Sequence, residues 1–172
     1  MTILSNGHLW KYTEFIENKN FSFDRNQIFD SLSKLEIDNA YSTISNWQGY
    51  SPTPLLELNK LSKELNLNKI FYKDESKRFD LKSFKALGGA YAVEKVFREN
   101  NDITVATATA GNHGRSVAWG ARRLGLKCKI FISEYVTDSR GKAMADLGAY
   151  IIKVKGNYEN SLIKCIEQAT KN

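Results

Sequence analysis

The chain has 172 residues, 42% of them hydrophobic, which is enough apolar material for a core of ordinary size and argues against disorder. Its net charge of +6 comes from 25 Lys and Arg residues spread along the chain among 19 acids, a pattern of a solvated basic surface rather than a nucleic-acid footprint. Met1 to Asn20 joins no basic patch to an apolar run, and nothing later approaches the ~18 apolar residues of a membrane span, so a soluble cytoplasmic protein is expected.

Taken in chain order, Met1 to Gly49 reads as an irregular lead-in with one helix, where Ile28, Phe29, Leu32 and Leu35 fall at helical spacing. Ser51-Pro52-Thr53-Pro54 breaks the chain, because each proline fixes its own backbone and biases the residue before it toward extended geometry. A helix presenting Leu58, Leu61 and Leu65 follows, then a strand at Lys69 to Lys73 and a polar loop at Asp74 to Leu81.

Ser83 is placed to cap a helix running to about Asn100, with Lys85 in its first turn and Leu87, Tyr91, Val93, Val96 and Phe97 supplying apolar contacts. From Thr104 the chain repeats one unit. Strands are predicted at Thr104 to Ala108, Lys129 to Ser133 and Tyr150 to Lys155, with helices near Asn112 to Leu124, Ser139 to Leu147 and Tyr158 to Ala169. Strands ~20–25 residues apart with amphipathic helices between them indicate an α/β fold, an open parallel sheet in a three-layer sandwich. Gly125 and Gly148 sit where a left-handed helix cap is wanted.

Cys128 and Cys165 are far apart, no C-x-x-C pair occurs and there are only two histidines, so no metal site is expected and free thiols suit a reducing cytosol. Trp119, Tyr91 and Phe97 read as core, and Arg122-Arg123 as complementing a helix dipole. In open parallel sheets ligands bind at the carboxyl ends of strands, beside helix amino termini with unpaired N–H groups. Thr107-Ala108-Thr109-Ala110-Gly111-Asn112-His113-Gly114 occupies that position, and its small residues admit a carboxylate or phosphate to the backbone. Taken alone, a Gly-rich turn before a helix is more often plain strand-to-helix geometry. Lys85 precedes a small, apolar run, Ala86-Leu87-Gly88-Gly89-Ala90, whose close packing would desolvate its ammonium and favour a nucleophilic amine.

Ser83-Phe84-Lys85-Ala86-Leu87-Gly88-Gly89-Ala90 resembles the cofactor-lysine segment of fold-type II pyridoxal-phosphate enzymes, the group that includes threonine dehydratase, threonine synthase and the tryptophan synthase beta chain. Thr109-Ala110-Gly111-Asn112-His113-Gly114 resembles their asparagine loop. Within the group the chain is most similar to the diaminopropionate ammonia-lyase family. The similar segments are Tyr50-Ser51-Pro52-Thr53-Pro54-Leu55, Lys73-Asp74-Glu75-Ser76-Lys77-Arg78-Phe79, Gly111-Asn112-His113-Gly114-Arg115 with Val117-Ala118-Trp119, and Gly156-Asn157-Tyr158.

The resemblance implies pyridoxal 5'-phosphate as cofactor. It implies that Lys85 forms the Schiff base and takes the substrate's alpha proton, Phe84 packs against the ring and Asn112 hydrogen-bonds the ring hydroxyl oxygen. Thr109, Ala110, Gly111 and His113 would receive the substrate carboxylate, and elimination from 2,3-diaminopropionate would yield pyruvate and ammonia. Ala110 stands where the ammonia-lyases carry an aspartate thought to assist proton transfer, and the Thr-Ala-Gly-Asn-His form is closer to the serine and threonine dehydratases.

Enzymes of this group are about twice as long, and their glycine-rich phosphate cradle has no counterpart here. The chain therefore reads as an amino-terminal half. Residues 1–85 would begin the large cofactor domain, and 86–172 would form a small α/β domain lacking its last strand. Its partner would be a second copy or a complementary carboxyl-terminal half; an alternative reading is a truncated or split chain that is inactive without that half.

Overall fold

A computed structural model describes residues 2–5, 8–11, 19 and 32–171. Strands β1 (Thr2–Ser5) and β2 (His8–Lys11) pair antiparallel, where the sequence suggested an irregular lead-in. Ile28 and Phe29 lie outside the described residues; the helix found nearby, α1, is Lys34–Ser45. Its start is a reciprocal cap: the Glu36 N–H donates to Ser33 Oγ at 3.2 Å, and the Ser33 N–H donates to the Glu36 carboxylate at 3.1 Å.

The chain divides into two compact units, one comprising the described residues up to Asp38 with Leu55–Lys73, the other Asn39–Pro54 with Asp74–Asn172. In the first, β3 (Leu55–Glu57) and β4 (Phe71–Lys73) pair antiparallel around the short helix α2 (Asn59–Glu64). The leucine face predicted for α2 is not its buried one. Leu61 is exposed and Ser62 is buried, its hydroxyl bonded to the Asn59 carbonyl at 3.0 Å.

In the second unit the alternation read from the sequence is present nearly residue for residue. Helix α3 (Lys85–Glu99) leads to β5 (Thr104–Ala108), α4 (Asn112–Arg123), β6 (Lys127–Ser133), α5 (Asp138–Ala145), β7 (Ala149–Val154) and α6 (Tyr158–Ala169). The strands form one parallel sheet in the order β5-β6-β7. Central β6 is buried on both faces. Cys128, Ile130 and Ile132 pack with Val93 of α3, Val117 and Ala121 of α4 and Met144 of α5, while Phe131 packs with Ala108 and Cys165 of α6. Helices thus cover both faces, giving the three layers expected of a parallel sheet.

Gly125 and Gly148, at φ +70° and +94°, terminate α4 and α5 as anticipated. After α4 the Leu126 N–H returns to the Ala121 carbonyl at 2.9 Å and the Gly125 N–H to that of Arg122 at 3.2 Å, a left-handed cap that other residues enter at a cost.

The buried face of α3 differs from the expected one. Ala86, Gly89, Ala90 and Val93 face inward and Val96 is exposed. Small residues occupy that face because α4 comes very close: a Cβ on Gly120 would lie 2.8 Å from the Ala90 Cα.

The segment before α3 is not simply a polar loop. It contains a single 3-10 turn, Arg78–Asp80, and Arg78 is only 5% exposed. The Arg78 guanidinium donates to the Ser51 carbonyl (2.9 Å), Thr53 Oγ1 (2.9 Å) and the Glu75 carboxylate (2.7 Å), pinning the Ser51-Pro52-Thr53 break to the turn. Phe79 stacks 4.6 Å from Trp119, with Trp47 beside both, and Trp119 is half-buried there rather than in the apolar core. Arg123 does more than complement a helix end: it lies 4.3 Å over the Trp47 ring and pairs with Glu94.

Candidate functional site

Strand β5 ends at Ala108, and the chain turns through Thr109, Ala110 and Gly111 into α4. The Thr109 N–H donates to the Phe131 carbonyl at 3.1 Å, extending the ladder by one residue and burying Thr109 at the sheet's carboxyl edge. Its Oγ1 accepts the Gly111 N–H at 3.4 Å. The two loop glycines have different reasons. A Cβ on Gly114 would overlap Met144 Sδ and Thr109 Cγ2, so packing of α4 on α5 demands glycine there, whereas the space around Gly111 is open.

This turn forms one wall of a cavity of about 530 Å³, within the range of small-molecule sites. Of the residues singled out from the sequence, Lys85, Thr109, Ala110, Gly111, Asn112 and His113 all line it. Lys85 opens α3 and Asn112 opens α4, so two helix starts deliver the two motifs to one place. Phe84 is not brought there: it is 64% exposed and outside the lining.

The enclosure expected around Lys85 is also absent. The small residues after it turn inward to meet α4, and Lys85 itself stands exposed at the cavity. Ser83 does act at the helix start, its Oγ accepting the Lys85 N–H at 3.2 Å.

Four lining residues were given no site role from the sequence: Arg115, which ends one of the family-similar segments, and Ser139, Arg140 and Ala143. Ser139 and Arg140 belong to the first turn of α5, so the rule that placed the β5 loop at a strand's carboxyl end applies equally to the β6 loop. Arg115 is one turn beyond Asn112 on α4. The lining thus holds Lys85, Arg115 and Arg140 and no Asp or Glu, a wall that favours anionic groups on a ligand.

An exposed lysine amine and a carboxamide on one cavity, with cations and helix starts around them, could hold a carbonyl-bearing anionic cofactor. Among the described residues no group of His, Cys, Asp and Glu could hold a metal ion, and no helix is long and apolar enough to cross a membrane. Both cysteines are free and buried.

Comparison with known proteins agrees with this chemistry. A family model described as pyridoxal-phosphate dependent enzyme matches residues 47–172. The diaminopropionate ammonia-lyase of Escherichia coli K12 is 32% identical over 177 residues, covering 92% of this chain and 44% of that protein. The biosynthetic L-threonine dehydratase of Salmonella typhimurium is 36% identical over 118 residues, covering 68% of this chain and 22% of that one. The crystal structure of the Escherichia coli diaminopropionate ammonia lyase in complex with an aminoacrylate-PLP azomethine reaction intermediate matches with a TM-score of 0.80 at 35% identity. That match covers 91% of this chain and 43% of the other. The chain spans less than half the length of these relatives.

Proposed function

The chain belongs to the pyridoxal-phosphate dependent enzyme family, and on that premise we propose that it is the amino-terminal portion of a lyase of the diaminopropionate ammonia-lyase type. The proposed reaction is α,β-elimination from 2,3-diaminopropionate, giving pyruvate and ammonia after hydrolysis. The observation that carries the reading is that Lys85 and Asn112, the key residues of two separate motifs, line the same cavity.

In this reading Lys85 is the attachment point for the cofactor, and its amine takes the substrate's Cα proton as a general base. Bound pyridoxal phosphate supplies the electron sink that makes that proton acidic. Asn112 orients the ring through its hydroxyl oxygen, and the Thr109–His113 turn receives the substrate carboxylate with its helix-start N–H groups. Phe84, exposed and off the cavity, has no part in this reading. The phosphate cradle comes from residues outside this chain, either a complementary carboxyl-terminal half or the rest of a longer subunit that forms a homodimer. We place the protein in the cytoplasm. The division into a large-domain portion, 1–85, and a small domain, 86–172, belongs to the same proposal, although the two compact units divide the chain at other points.

A second reading, a serine or threonine dehydratase, is favoured by Ala110 and by the absence of any carboxylate from the cavity lining. Adding pyridoxal phosphate to a protein of full family length is expected to produce the visible absorption of a lysine-bound cofactor, and Lys85→Ala to abolish it. Absorption untouched by that substitution overturns the assignment of Lys85. Ammonia release from diaminopropionate, serine and threonine, measured side by side on a protein of full family length, separates the two readings.

A further inference from the structure

Arg115 lines the cavity and ties α4 to the segment that leads into α3. It lies on α4 one turn after Asn112, and its Nη1 donates to the Leu81 carbonyl at 2.9 Å. Leu81 is buried four residues before Lys85, within a stretch where Phe79, Asp80 and Lys82 all adopt left-handed backbone, with φ of +47°, +57° and +57°. Such backbone is unfavourable for residues with a Cβ and persists only where the surroundings hold it.

On the near side of this stretch, the Leu81 N–H is bonded to the Arg78 carbonyl at 2.9 Å. On the far side, Ser83 accepts the Lys85 N–H on its hydroxyl at 3.2 Å and the Ala86 N–H on its carbonyl at 3.1 Å. The segment between is tied to α4 through the Arg115 guanidinium. Among the described residues Arg115 makes no ion pair, and its buried Nε has no hydrogen-bond partner. One guanidinium N–H of Arg115 therefore goes to the Leu81 carbonyl and none to an acid, although leaving Nε unpaired is unfavourable.

We propose that Arg115 is a positioning residue: by holding Leu81 it fixes where α3 begins and so where the Lys85 amine stands relative to Asn112. This rests on the reading of Lys85 as the cofactor lysine. Arg115 acts through Leu81 and need not touch the reacting atoms.

The test reads the reactivity of Lys85 directly. A protein of full family length is incubated with pyridoxal phosphate, the adducts are reduced with borohydride, and the modified lysines are mapped by peptide mass spectrometry. Arg115→Met, which keeps a stem but no donor, is expected to lower the adduct on Lys85 several-fold while leaving Lys129 and Lys153 unchanged. Arg115→Lys, which restores a donor toward Leu81, should bring Lys85 back to within about twofold of the unaltered protein. The lysine variant separates a positioning bond from general damage. Because Arg115 also lines the cavity as a cation, the labelling is repeated with pyridoxal, which lacks the phosphate. The same loss and recovery are expected, whereas an effect confined to the phosphorylated probe overturns the positioning role. Near-ultraviolet circular dichroism of the Trp47–Trp119 cluster reports folding in each sample. Should Arg115→Met not fold, Arg115→Gln, whose amide falls short of Leu81, takes its place. Equal labelling of Lys85 in the donorless variant, or no recovery in Arg115→Lys, overturns the role of Arg115. Absence of any Lys85 adduct in the unaltered protein instead overturns the cofactor-lysine reading and this inference with it.

Discussion

The Oγ of Ser116 occupies the space a side chain on Gly89 would need. It donates to the Ala86 carbonyl at 3.1 Å and accepts the Ala90 N–H at 3.0 Å. Those two backbone groups are one turn apart on α3, so a hydroxyl from α4 bridges them at the point of closest helix approach. Small residues where backbones meet allow this, and the contact holds the Lys85 helix against the Asn112 helix.

Gly89→Ala is therefore expected to destabilise the fold by about 1–3 kcal/mol, because a Cβ there overlaps Ser116 in a packed interface. Combining it with Ser116→Gly removes the overlap, so the double variant should lose less than the sum of the single ones. Chemical denaturation of all three measures this, and strict additivity would show that the two residues do not meet.

Arg78→Met should be more damaging. The guanidinium is buried and satisfies Glu75, Thr53 and the Ser51 carbonyl, so its removal takes a close cation from a largely buried carboxylate and two more donated bonds from its neighbours. A loss of about 3–5 kcal/mol is expected. Replacing Arg78 and Glu75 together, by Met and Leu, should recover part of it. A loss below about 1 kcal/mol in Arg78→Met would place the pair at the surface.

Burial pushes the Cys128 thiol up from 9.0 to about 11. The folded protein thus keeps a proton that the unfolded chain releases from about pH 9. The contribution of this group is complete below pH 9 and is lost as the pH rises toward 11. Cys128→Ala should make the decline in stability over that window shallower. Alkylation of Cys128 at pH 8.5 should be slow in the native protein and fast in denaturant; rapid native labelling would contradict its burial.

Ala110 tests the leaving group. In a protein of full family length, Ala110→Asp places a carboxylate in a lining that has none, and is expected to raise activity on diaminopropionate relative to serine and threonine by about a hundredfold, the low end for a positioned proton-transfer group. An unchanged ratio would mean that the proton reaches the leaving group from elsewhere.

The β/α alternation from Thr104 onward was legible because each element carries its own signal: apolar runs of strand length, helical periodicity, and glycines at the left-handed caps. The pairing of Lys85 with Asn112 was legible as two motifs at the starts of helices. Two local signals were overlooked. Ser33 with Glu36 marks the start of α1, and the residues before it carry the runs that form β1 and β2.

The sequence by itself determined the order of elements and the chemistry offered at the carboxyl edge of the sheet, since periodicity and capping act over a few residues and need no partner. Only the tertiary structure decided that Ala86-Leu87-Gly88-Gly89-Ala90 serves the approach of α4 rather than the enclosure of Lys85. It also decided that Arg115 reaches back to Leu81, that Arg140 joins the cavity and that Phe84 does not. These are contacts between residues distant in the chain. They depend on sheet register and on how deeply two helices interlock, and no local period encodes either.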